Sequence, residues 1–194
     1  EIEEILEKIK SKSNFQLDSK QEVAQGIVPN PDVLSKKSFE NYYSNLPNYS
    51  VGEPVFVIPN NYLQNLTENE KRFLKPLYEP YELSRYFFPN GHQKEIIYLT
   101  KKNDSSDIDN LINHLQKFKE VTNERRETKT GKLKNYHLHW PRDSYFFEKG
   151  SKILSVRKCE IPTFVFTEEE SFVMMSFNVI KSDNTSEKLD LTKI

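Results

Sequence analysis

Between Ile108 and Val121 the apolar residues Ile108, Leu111, Ile112, Leu115, Phe118 and Val121 share one face of a 3.6-residue period. That stripe predicts one long amphipathic helix, with Ser106 as its cap. The sequence after it has the opposite character. From Tyr136 on, short runs rich in Phe, Val, Ile and Tyr predict strands at 136–140, 152–157, 163–167 and 171–180. One helix with an apolar side is thus followed by a β-rich final third, whose strands must bury a face.

The first hundred residues predict smaller pieces. Ile2, Ile5, Leu6 and Ile9 stand at helical spacing, giving a short amphipathic helix over residues 1–12 of the kind that connects to a neighbouring domain. Residues 19–31 predict a short strand or turn ending in an extended loop, because Pro29 and Pro31 disfavour helix at the residue before each. The polar stretch 36–50 predicts a surface loop, and Val55–Ile58, held between Pro54 and Pro59, a buried strand. Thr67-Glu-Asn-Glu70 is a capping-box pattern, predicting a short helix through Phe73, Leu74 and Leu77 that Pro76 kinks. Glu95–Thr100 predicts a further strand.

Composition narrows the class. Thirteen Phe and ten Tyr among 194 residues mean a buried core, not a disordered chain. Only five glycines are present, which argues against a glycine-rich phosphate loop. Cys159 is the sole cysteine, so no internal disulfide forms and a reducing cytoplasm fits; the thiol is expected to be a buried bystander. No apolar run approaches the ~20 residues of a membrane span, and no signal-peptide pattern opens the chain. The sequence begins at Glu1 without an initiator methionine, which reads as a piece excised from a longer protein.

The formal net charge is −1, yet the charge is unevenly spread. Lys71–Lys102 holds seven Lys/Arg against three Glu, and Lys117–Lys158 twelve against five acids. Such asymmetry can build a basic face, or it can be solvated lysines dispersed over the surface.

Catalytic patterns are thin. Pro29-Asn30-Pro31-Asp32 lacks the aromatic and second proline of an amine-methylating Asn-Pro-Pro-Tyr site, and reads as a turn. Glu127-Thr128-Lys129, with Asp107 and Asp109 upstream, matches half of a metal-dependent nuclease pattern, but in a helix-end loop. His137 and His139 share one side of an expected strand without companions that would complete a zinc site, so packing or polar contact is expected. What remains is a binding constellation. Lys75, Arg85 and Tyr86 lie in the first basic segment, and Arg125, Arg126, Lys129, Lys132, Lys134, Trp140 and Arg142 in the second. Basic side chains meet phosphates, Arg reads guanine edges, and aromatics stack on bases. Core packing is the competing reading for Trp140, and a solvated helix end for Arg125 and Arg126.

Several segments recur in order in one family: Gln25-Gly26-Ile27-Val28-Pro29-Asn30, Pro54–Ile58, Leu74–Tyr78 leading to Leu83-Ser-Arg-Tyr86, and Glu95–Thr100. The long helix ending at Arg125-Arg126-Glu127, Leu138-His-Trp-Pro-Arg142 and Lys152-Ile-Leu154 complete the set. Over residues 14–180 the order resembles the TaqI-like C-terminal specificity domain of type II restriction–modification adenine-specific DNA methyltransferases. The resemblance implies an α+β domain with an irregular, partly β-helical body, one long helix and short flanking helices. Residues 1–13 would be the connector helix from an N-terminal methyltransferase domain, and 14–194 the target-recognition domain. It implies double-stranded DNA as partner and S-adenosylmethionine as cofactor of the parent enzyme, with no cofactor or metal in this chain. Gln25, Gly26 and Asn30 become a base-reading loop, since Gln and Asn pair with adenine edges and glycine allows close approach. Lys75–Tyr78 and Lys152–Leu154 can equally mark the fold and not the site. The rival readings are a nuclease fragment using Glu127-Thr128-Lys129 and a protein-docking module of another defence-system methyltransferase.

Overall fold

The computed structural model describes residues 2–12, 17–102 and 107–181, and shows an α+β fold built on two four-stranded sheets. The first sheet has the order β1 (Val23–Gln25), β8 (Phe177–Ile180), β5 (Lys152–Val156), β6 (Phe164–Thr167), all antiparallel. The second has the order β2 (Val57–Pro59), β4 (Lys94–Ile97), β3 (Leu74–Tyr78), β7 (Phe172–Val173). Among the described residues β3–β7 is the one parallel strand pair, so the pairing bears no β-helical repeat.

In the first sheet the period-2 alternation of strands does the sorting. Ala24, Val179, Leu154 and Val165 stand opposite one another on the core side. One residue along, Gln25, Asn178, Ser155 and Phe164 form a row on the outer side. The two sheets are joined at the segment after β1. Gly26 donates its N–H to Phe177 O, and Ile27 donates to Val173 O beside the turn that links β7 to β8. A Cβ at Gly26 would lie 2.0 Å from Met174 O, so only glycine fits.

The apolar stripe of 108–121 does face the core, but it does not run on one helix. α4 (Asp109–Gln116), α5 (Lys119–Asn123) and α6 (Arg126–Lys129) follow in steps. The N–H groups of Lys117 and Phe118 bond three residues back, to His114 and Leu115. That tightening lets the fully buried Phe118 ring reach Tyr43 and Tyr49, at 6.4 and 6.1 Å between centroids. Ring packing outweighs continuation of the helix. The expected cap Ser106 lies outside the described residues. The start of α4 is served instead by Glu70, buried to 1% exposure. Its Oε1 accepts from the N–H groups of Asn110 (2.7 Å) and Leu111 (3.4 Å). Its Oε2 completes the expected capping box of α3 (Glu68–Lys71), accepting from Thr67 N–H at 2.9 Å. One carboxylate thus caps two helices.

Other expectations change. The helix begun at Thr67 stops at Lys71, and Leu74–Tyr78 is β3. Pro76 is tolerated there because β3 meets β7 only from Leu77 on. Within the expected loop 36–50, α2 (Lys36–Tyr42) forms on a Ser35 cap that accepts from Ser38 N–H. Residues 136–140 make a single bridge, not a strand, and 171–180 divides into β7 and β8. Cys159 is exposed, not buried. The N-terminal helix is present as α1 (Ile2–Lys12), with Ile2, Ile5 and Leu6 exposed. No described helix is long and apolar enough to cross a membrane.

Lys152 resolves as a mark of the fold. Its fully buried ammonium donates to the carbonyls of Glu148, Gly150 and Glu169, at 2.9, 3.2 and 2.6 Å. Lys181 in turn donates to Tyr145, Glu148 and Lys149 carbonyls. Two cations therefore hold the 145–150 turn.

The Glu70 arrangement carries a pH signature. Burial alone would raise its carboxyl pKa, but the hydrogen bonds from Asn110, Thr67 and Leu111 outweigh burial and set it below its ordinary value. A depressed carboxyl stabilises the fold above the unfolded-state pKa, and that contribution fades as pH falls through the folded-state one. Glu70→Gln is expected to cost about 1–3 kcal/mol at pH 7 in urea unfolding, shrinking towards zero below the ordinary carboxylate range. An equal loss at pH 7 and at pH 3 would show that the charge is irrelevant.

Candidate functional site

The site begins with two backbone hydrogen bonds. Val28 and Trp140 exchange N–H···O contacts of 3.1 and 3.0 Å, and His139 N–H reaches Pro29 O at 3.3 Å. This bridge lays segment 25–30 against segment 138–142, which begins at the fully buried Leu138. Tyr98 closes the far end by directing its hydroxyl at the carbonyls of Pro141 and Arg142, at 3.2 and 3.1 Å.

On this frame the side chains are held in a linked set. Arg142 takes a left-handed backbone (φ 62°) and donates from Nε to Gly26 O (3.4 Å) and from Nη2 to Gln25 Oε1 (3.3 Å). The Gln25 amide donates its other end to Met175 O at 3.2 Å, so its orientation is fixed from both sides. Trp140 is 49% exposed, with the Arg142 guanidinium 5.8 Å from its ring centroid. Behind it His139 stacks at 4.7 Å with an interplanar angle of 17°. His139 Nε2 lies 2.7 Å from Glu127 Oε2, and its Nδ1 lies 3.2 Å from Asn30 Nδ2. The pairing suits a ring that donates to Glu127 and accepts from Asn30. The hydrogen bond to His139 is also the main cause that sets the Glu127 carboxyl below its ordinary pKa.

Gln25, Gly26, Asn30, Trp140 and Arg142 are thus brought together. Gly26 serves sheet packing, not approach of a ligand, since its open side is filled by Met174. Through Glu127, the short α6 joins the patch; Arg126 and Lys132 are exposed there, while the exposed Lys129 pairs with Glu124 at 2.6 Å. Glu127 and Lys129 are therefore engaged with His139 and Glu124 rather than with each other. Among the described residues no group of three His, Cys, Asp or Glu is placed to hold a metal ion.

Other sequence candidates fall elsewhere. Arg125, 5% exposed, is internal: it donates to the carbonyls of Thr122, His137, Lys134 and Asn135, at 2.9, 2.8, 3.3 and 2.7 Å. Burial lowers its pKa to about 10, with Glu127 opposing, so the guanidinium stays charged at neutral pH. Lys75 pairs with Glu170 at 3.0 Å, half-buried over Phe172. Lys71 and Lys94 likewise pair with Glu68 and Glu79, so much of the first basic segment is neutralised locally. Arg85 and Tyr86 are exposed at β6, where Tyr86 N–H bonds Phe164 O. They stand beyond the opposite edge of the same sheet from Gln25, four strand spacings or roughly 19 Å away.

Sequence reasoning missed Arg157, whose Nη1 donates to Met175 O at 3.0 Å beside Gln25. It also missed the Glu127–His139–Asn30 chain, for which sequence offered no signal beyond the residue types. Set against known proteins, the sequence matches no family model and no curated protein.

Arg125→Ala is expected to lower stability by about 3 kcal/mol in urea unfolding, because carbonyls are left buried without a donor. Arg126→Ala should stay within about 0.5 kcal/mol of the parent protein. Equal effects at the two positions would contradict the internal placement of Arg125.

Proposed function

We propose that this chain recognises duplex DNA, as the target-recognition part of a restriction–modification enzyme that methylates adenine. The observation that carries the reading is the Arg142 guanidinium, oriented by Gly26 and Gln25 beside a half-exposed Trp140 that is braced by His139. A guanidinium held in one orientation is suited to bidentate contact with a guanine edge, and a braced aromatic to stacking or wedging at a base step. In the outer row, Gln25, Asn178 and Ser155 add hydrogen-bonding groups across the sheet and Phe164 an exposed ring. Arg126, Lys132 and Arg157 add cations for phosphates.

In this reading the methyl donor, S-adenosylmethionine, belongs to a methyltransferase domain elsewhere in the parent enzyme. That domain must take the adenine out of the stack to reach its amine, and groove contacts from this chain offset the unstacking. The exposed Ile2, Ile5 and Leu6 of α1 then have a surface to pack on.

The test is selection of a preferred duplex from a randomised pool, followed by anisotropy titration. Arg142→Ala and Trp140→Ala are each expected to weaken the selected duplex at least about tenfold, and Arg142→Ala to relax preference at one base pair. Lys75→Ala should leave affinity unchanged. No selected sequence above the random pool, or full affinity in both site variants, would remove the reading.

A further inference from the structure

Behind Arg142 lies a cleft of about 420 Å³, within the ordinary range of small-ligand sites. Its walls are mainly apolar: Leu133, the buried Leu138, Pro141 and the Tyr98 side chain. Two lysines, Lys101 and Lys102, line it together with Asp143, while the Arg142 guanidinium is engaged with Gly26 and Gln25. The Asp143 carboxylate is already turned to the backbone N–H of Tyr145, capping the short turn Ser144–Phe146. Thr100 and Ser144 contribute hydroxyls. A flat apolar body with an anionic end matches this arrangement, whereas a bare anion would leave the apolar walls uncovered and an uncharged ring would leave the cations unused.

We propose that the cleft binds a nucleotide, with the phosphate at Lys101 and Lys102 and the base between Leu133, Leu138, Pro141 and Tyr98. Arg142 lines the cleft and also reaches Gln25 and Gly26, so the nucleotide would neighbour the residue whose guanidinium stands beside Trp140. Two sources share this chemistry: a free mononucleotide, or a nucleotide unstacked from a bound duplex. Only the second source rests on the reading of duplex recognition.

Calorimetry with deoxyadenosine monophosphate, deoxyadenosine and inorganic phosphate, in the absence of DNA, tests the cleft by itself. The monophosphate is expected to bind at least about tenfold more tightly than either half. Lys101→Glu with Lys102→Glu changes exposed residues and should weaken the monophosphate at least about tenfold while sparing deoxyadenosine. Leu133→Trp fills the apolar side and should weaken both. Monophosphate binding no tighter than phosphate, or indifferent to both variants, overturns the proposal whatever the chain does with duplex DNA. A duplex with 2-aminopurine placed at successive positions then separates the sources. A fluorescence rise at one position, lost in Leu133→Trp, assigns the cleft to the duplex; monophosphate binding without such a rise assigns it to a free nucleotide.

Discussion

One guanidinium organises the middle of this molecule. Arg125 gathers the carbonyls of Thr122, Lys134, Asn135 and His137, tying the end of α5 to the segment that leads into His139, Trp140 and Arg142. An arginine suits the task because its planar fork supplies several donors at fixed angles and keeps its charge. Four carbonyls accept from it and the Glu127 carboxylate favours its charge from nearby, so both offset its desolvation. Lys152 and Lys181 repeat the device at the 145–150 turn. Three cations are therefore spent on folding the irregular connections.

That use of charge bears on what sequence can reveal. Charge asymmetry along the chain is visible in the residues, but whether a cation faces solvent, a carboxylate or a ring of carbonyls depends on contacts between distant segments. Arg125 and Arg126 are neighbours with opposite fates, one buried and one exposed. No local pattern separates them. The clustering of Gln25, Asn30, Trp140 and Arg142 was legible as a list of residue types, while the Val28–Trp140 bridge that unites them was not.

Secondary structure was legible to a similar depth. Thr67 and Glu70 announced a helix start because both partners of a capping box lie within four residues. The second task of Glu70, at the start of α4, spans 40 residues and has no local sign. The stripe from Ile108 to Val121 correctly named core residues, yet periodicity cannot register that Phe118 turns aside to meet Tyr43 and Tyr49. At Leu74–Tyr78 a short apolar run with a proline fits a kinked helix or a strand, and the neighbouring strands β4 and β7 decide it.

The glycine between β1 and Ile27 has an implication of its own. With Met174 O pressed where a side chain would begin, any other residue there would force the two backbone segments apart. Gln25 directly precedes that seam, and Arg142 donates to the carbonyl of Gly26 within it. Changes of ligand preference over evolution would come by exchanging side chains on that seam, while its path through space stays the same.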